Sequence, residues 1–140
     1  MRSFLTVFLT VSLIFVVSCA ALKQEEIDPW LTTMSGAKPP EINITGKWRD
    51  AAGTGMMTWG EGYLHQEQNK VRGVMGDYGI KGIVSGKVVY LVFMIRDSNK
   101  VSYTARLESL KDLLIGRYFR ATDKEQKKGW ETSFMRIAEK

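Results

Sequence analysis

The chain has one cysteine and one histidine among 140 residues, so its candidates for covalent or acid–base chemistry are few. Cys19 stands where an apolar run ends, in the stretch "FVVSCAALKQ" from Phe15 to Gln24. With no second cysteine it cannot close an intramolecular disulfide. That leaves a reactive thiol, a buried small side chain, or a site of covalent modification. His65, in "EGYLHQEQ", shares a strand face with Glu61, Tyr63 and Glu67. An alternate-residue His/Glu set can bind a metal or support proton transfer, but a surface strand shows the same pattern. No serine sits in a nucleophile elbow, and no carboxylate pair stands out from the scattered acids. The segment "AAGTGMMTWGEG" lacks the Lys-Ser or Lys-Thr ending of a phosphate loop. The residues therefore predict no catalytic site, no metal and no cofactor.

The surroundings of Cys19 decide among its three fates. Arg2 supplies one positive charge, and Phe4 to Val17 are all apolar or small hydroxyl residues, a run of the length of a signal-peptide core. It is shorter than the roughly 20 apolar residues of a membrane span. Val16, Val17, Ser18 and Cys19 resemble the lipobox of bacterial lipoproteins. The resemblance implies a diacylglycerol on the thiol, cleavage before Cys19, and an acyl chain such as palmitate on the new amino terminus. More than one chain is needed for stable anchoring, so Cys19 would tether the remainder of the protein to a membrane. An ordinary signal peptide, or an anchor with an incidental cysteine, are the alternatives. Ala20 stands where this family commonly has Asp for inner-membrane retention. In a Gram-negative cell the resemblance therefore implies the outer membrane, facing the periplasm.

Cleavage would leave 122 residues (140 less 18), enough for one domain with its own core. Lys plus Arg would drop from 20 to 19 against 15 acids, a mild excess of +4. An exported protein of that charge meets anionic lipids and wall polymers, and nucleic acid is not expected as a partner. The chain divides into a signal peptide 1–18, an acylated cysteine and tether 19–43, and a folded domain 44–140. The tether is polar and punctuated by Pro29, Pro39 and Pro40. Within it, Asp28 as N-cap, Pro29 at the first helical position, then Trp30, Leu31 and Met34, with Gly36 after them, predict one short helical turn covering an end of the domain.

From Ile44 onward, β-branched and aromatic runs alternate with turn residues. Eight strands are expected: Ile44 to Asp50, Glu61 to Gln68, Val71 to Met75, Tyr78 to Ser85, Lys87 to Arg96, Lys100 to Glu108, Asp112 to Ala121 and Gly129 to Ile137. Links such as Asn69-Lys70, Gly76-Asp77 and Ser109-Leu110-Lys111 suit antiparallel hairpins and cannot hold crossover helices. Ile44, Gly46 and Trp48 share a face, as do Val101, Tyr103, Ala105 and Leu107. "KVVYLVFMIR" is apolar on both faces, so its outer side needs cover from the tether, a strand or a partner. Eight consecutively paired strands with one buried face most economically close into an all-β, eight-stranded antiparallel up-and-down barrel. An open sheet or sandwich is the alternative.

Gly46-Lys47-Trp48 in "ITGKWRD", with Arg136 in the last strand, resembles the first-strand kernel and terminal arginine of lipocalins and other calycin barrels. "ITGKW" is also similar to the opening of avidins, without the aromatic pattern of a biotin pocket. The resemblance implies that Trp48 and Arg136 form a barrel-closing pair and that the interior takes a small apolar or amphipathic guest. Lipocalins carry a helix before the last strand, which Thr122 to Lys128 is too short to hold.

Trp59, Tyr63, His65, Tyr78, Tyr90, Tyr103 and Trp130 are the candidate ligand-binding residues. Such side chains can line a cavity or fill it. Gly62, Leu64, Gln66 and Gln68, opposite the His65 face, are hardly more apolar than it, so either orientation turns polar groups inward. Met56, Met57 and Trp59 read as a lid or as plugs of the core. Lys124, Lys127 and Lys128, with Arg117 and Arg120, read as a solvated hairpin or a contact to anionic lipid. The expected functions are carriage of a small hydrophobic ligand or, if the barrel is filled, a structural or interaction role with an envelope protein partner.

Overall fold

The β-rich pattern closes on itself. The computed structural model describes residues 24–35, 38–51, 58–98 and 100–139. Helix α1 (Gln24–Ser35) precedes β1 (Gly46–Asp50), β2 (Glu61–Glu67), β3 (Lys70–Met75), β4 (Tyr78–Ser85), β5 (Val88–Ile95), β6 (Val101–Leu110), β7 (Leu113–Arg120) and β8 (Gly129–Ile137). Each strand pairs antiparallel with the next, and β8 returns to β1 with Trp48 opposite Arg136, giving a closed eight-stranded barrel. Closure leaves no strand edge unpaired. The end where β1 starts and β8 finishes holds three of the four tight turns and is the closed end; the described parts of the longer connections, 51, 58–60, 96–98, 100 and 121–128, lie at the mouth.

Alternation sorts the side chains into two clusters. Inside lie Trp48, Leu64, Val71, Met75, Ile80, Val84, Val89, Leu91, Phe93, Ala105, Leu107, Leu114, Tyr118 and Phe134, joined by Ile44 and Trp59 from outside the strands. Outside, Tyr90, Val92 and Met94 of β5 are covered by Ile27 and Leu31 of α1. The apolar second face of β5 thus finds its cover in the tether. The helix is longer than the turn expected: it begins at Gln24, and Pro29 lies inside it. Proline removes one helical hydrogen bond, and the burial of Ile27 and Leu31, one turn apart on the same helix face, offsets that loss. Trp30 and Leu31 therefore cover the side of the barrel and not its end.

Two other details depart from the expected pattern. The β6–β7 turn is Lys111-Asp112, with Leu110 opposite Leu113 and Lys111 at φ 54°, so β6 runs two residues past the expected Glu108 and β7 begins one residue after the expected Asp112. In β6 the register shifts opposite Phe93 and Met94, where Phe93 faces Tyr103 and Met94 faces Val101. That bulge turns Val101 outward under α1, while Tyr103, Ala105 and Leu107 stay with the interior. Close strand approach is achieved at inward glycines: a Cβ on Gly62 would lie 1.8 Å from the Val74 carbonyl oxygen.

Candidate functional site

At the closed end, Arg136 leaves β8 and lays its guanidinium 4.5 Å from the centre of the Trp48 ring. Its Nη1 donates to the Thr45 carbonyl at 2.6 Å and its Nη2 to the Asn43 carbonyl at 3.0 Å. Trp48, fully buried, donates from Nε1 to the Ile44 carbonyl at 2.8 Å. The planar fork holds two carbonyls of the segment that enters β1, and its face contributes about 0.5–2 kcal/mol on the indole. Gly46 is needed here for the guanidinium and not for another backbone: its φ is +146°, and a Cβ would meet Arg136 Nη1 at 2.7 Å.

The inward polar group of β2 belongs to the same end. Gln66 accepts from the Ile44 amide at 3.0 Å and donates to the carbonyls of Ile42 at 2.9 Å and Gln68 at 2.8 Å. Its amide is fully engaged in holding the approach to β1. Gln66 is thus a structural clasp, a partnership between distant segments that strand alternation could not reveal.

Trp59 occupies the upper interior. It comes from the β1–β2 connection and is 2% exposed. Its ring lies 4.3 Å from Phe93, 5.1 Å from Tyr118, 5.5 Å from Tyr78 and Tyr103, and 6.3 Å from Phe134, centre to centre. Nε1 donates to Thr132 Oγ1 at 3.0 Å, and the backbone amide donates to Asp50 Oδ2 at 3.1 Å. One indole stands where a guest of a calycin-like barrel would lie. Of the two expectations for Trp59, the core plug describes it. Met56 and Met57 lie outside the described residues, as does Cys19 with the segment before it.

Tyr78, Tyr103 and Tyr118 form the rim above the plug, with Trp130 stacked on Tyr118 at 5.2 Å and 26°. Burial, then the charges of Tyr103 and Asp77, raise the Tyr78 phenol above its ordinary range; burial, then Tyr103, do the same for Tyr118. Both phenols stay neutral at physiological pH. Trp130 is 37% exposed, and Arg120 reaches toward its ring at 5.8 Å. A cleft of about 620 Å³ beside it is lined by Arg120, Thr122, Asp123, Lys127, Lys128 and Gly129. Asp123 accepts from the amides of Lys128 at 2.7 Å and Lys127 at 3.2 Å. Chiefly through the Lys128 amide, its carboxyl is held below the usual carboxylate range.

The structure therefore brings Trp59, Tyr78, Tyr103 and Trp130 together at the mouth and leaves the other three candidates apart from them. Tyr63 and His65 point outward from β2, and Tyr90 points outward from β5 beneath the helix cluster. His65 shares a shallow cleft of about 430 Å³ with Glu67, Gln68, Lys70 and Arg72. Among the described residues, no three His, Cys, Asp or Glu side chains gather closely enough to hold a metal ion. On the outer face, Gln126 folds over Thr104, donating to its Oγ1 at 3.3 Å. Comparison with protein families, characterised proteins and solved structures found no match.

Proposed function

We infer that this protein is a lipid-anchored envelope lipoprotein whose barrel is a filled, rigid scaffold, acting through its surface as a structural or interaction subunit of an envelope complex. The observation that carries this reading is Trp59, buried against five aromatic rings in the volume that a carrier would keep for its guest. The anchoring half is supported by Val16-Val17-Ser18-Cys19 and the apolar run before it. Acylation of Cys19 would place the scaffold at a membrane surface without a spanning helix.

A second reading, a carrier of a small apolar molecule, has one observation in its favour. Trp59 is carried by a connection and not by a strand, so its departure would open space in the upper interior without unpairing two strands. Native mass spectrometry of the full protein, purified from its own cell envelope, separates the two. The expected result is the mass of an acylated chain with no small molecule retained. A co-purifying apolar compound at one per chain would overturn the filled-scaffold reading and establish the carrier. A chain mass without acyl groups, matched by Cys19→Ser, would overturn the anchor.

A further inference from the structure

The way the tether leaves the barrel fixes which end can face a membrane. After Ser35 the chain reaches the closed end, where Pro40 bridges Gly86 and the Glu41 amide donates to the Gly86 carbonyl at 2.9 Å. Twelve helical residues span about 18 Å, so the opposite end of α1 lies toward the mouth. Side-chain contacts agree: Trp30 Nε1 donates to the Lys124 carbonyl at 3.4 Å at the mouth, whereas Leu31 and Thr32 share a cleft with Lys70, Val71 and Ile83, nearer the closed end. Five positions separate Cys19 from Gln24, a reach of at most about 17 Å. An acyl chain on Cys19 therefore holds the mouth, and not the closed end, close to the lipid.

The groups at that end suit a bilayer. The cleft beside Trp130 carries three cations, Arg120, Lys127 and Lys128, against one carboxylate, Asp123. Asp123 is already committed to two backbone amides, and Lys127 also pairs with Glu125 on the rim. Next to these charges stands an indole 37% exposed, and Ile95, at the top of β5, is 45% exposed. Tryptophan beside lysine and arginine is the pairing that sits at headgroup depth, with the ring among the upper acyl carbons and the cations on phosphates.

We propose that the mouth of the barrel faces the membrane to which Cys19 is anchored, with the Arg120, Lys127 and Lys128 cleft receiving phosphate groups of anionic phospholipids and Trp130 entering the interface. The proposal rests on the lipid-anchor reading. It also orients the protein: the closed end, the His65 strand and the outer faces of β6 and β7 are turned to the envelope space, where a protein partner would meet them.

The test uses the full acylated chain in vesicles of phosphatidylcholine alone, or of phosphatidylcholine with phosphatidylglycerol, each with and without brominated acyl chains. Trp130 emission is the difference between the wild type and Trp130→Phe. Bromine quenching of Trp130 is expected in the phosphatidylglycerol vesicles and should weaken as salt is raised. Each lysine near an anionic surface contributes about 1 kcal/mol, so Lys127→Ala/Lys128→Ala should lower the face-down population about 30-fold and abolish quenching. Protein that pellets with the phosphatidylglycerol vesicles but leaves Trp130 unquenched at low salt would overturn the orientation alone. So would quenching that is indifferent to phosphatidylglycerol and to the lysine changes, or protection of Trp130 by inorganic phosphate without quenching. A chain that carries no acyl mass and does not pellet would overturn the anchor reading and this proposal together.

Discussion

Replacing Trp59 with alanine removes the side chain on which the filled interior depends, and its surroundings set the size of the loss. A buried aromatic side chain of this size withdraws about 150–250 Å² from water. At about 25 cal/mol per Å² that is about 4–6 kcal/mol, of which alanine retains a small part. Truncations of buried tryptophan fall at about 3–5 kcal/mol, because neighbours collapse only partly into the space. Here the neighbours are five rings fixed on five different strands, so little collapse is expected and the loss should reach about 4–5 kcal/mol. Trp59→Phe keeps most of the ring contacts but leaves Thr132 Oγ1, 5% exposed as a residue, without the indole donor. An orphaned buried group costs about 1–3 kcal/mol, which places this variant near half the alanine effect. Urea unfolding followed by circular dichroism measures both. With a slope of about 2 kcal/mol per molar, the midpoint should fall by about 2 M for alanine and about 1 M for phenylalanine. Trp130→Ala, at the wet rim, should move it by less than about 0.5 M. A Trp59→Ala loss below about 1 kcal/mol, or one no larger than that of Trp130→Ala, would refute the assignment of the indole as the structural plug.

Arg136→Ala should lower stability by about 2–3 kcal/mol, from the loss of two charge-assisted hydrogen bonds and the contact with Trp48; Arg136→Lys should recover less than half, and thermal melts at about 4–8 °C per kcal/mol resolve the two. Gly62→Ala drives a methyl into the Val74 carbonyl, so it should abolish cooperative unfolding by urea, whereas the same change at Gly79, whose Cβ would find only ordinary contacts at 3.8 Å, should be tolerated. The raised phenols of Tyr78 and Tyr118 favour the fold while they are neutral. Their contribution is complete below the unfolded tyrosine value of about 10 and is lost as pH rises through the folded values. Alkaline unfolding midpoints in Tyr78→Phe should therefore lie at higher pH than in the wild type, and a midpoint unchanged by either phenylalanine substitution would count against burial as the cause.

The strand count and the order of pairing were legible because each has a local signal, alternation or a turn residue; the Trp48–Arg136 contact was expected from the resemblance to calycin barrels. Tyr78–Ser85 and Gly129–Ile137 match the expected bounds at both ends. What escaped was set by distant partners. Gln66 reads as a polar intruder until Ile42 and Ile44 are beside it. Val101 reads as inward until the bulge opposite Met94 is known. The grouping at the mouth was half visible. Aromatic content pointed to a cluster, and alternation set Tyr103 beside Ala105 and Leu107, but both faces of β2 are polar, so nothing local fixed Tyr63 as outward, and nothing marks Trp59 as a core residue in a segment without strand pattern.

The consecutive order of the ladders has a kinetic consequence. Seven of the eight pairings join neighbours in sequence and can form by successive short-range zipping. The seam between β1 and β8 must instead bring together residues as far apart as Thr45 and Arg136, 91 positions. Closing that span in place of a ten-residue hairpin costs about 2 kcal/mol more in chain entropy. Little of this can be regained until both strands are in place, so the seam should be the last ladder to form and the first to open. Amide hydrogens of β1 paired with β8 should then exchange faster than those of β5 paired with β6, which makes the guanidinium over Trp48 the latch on the slowest step of folding.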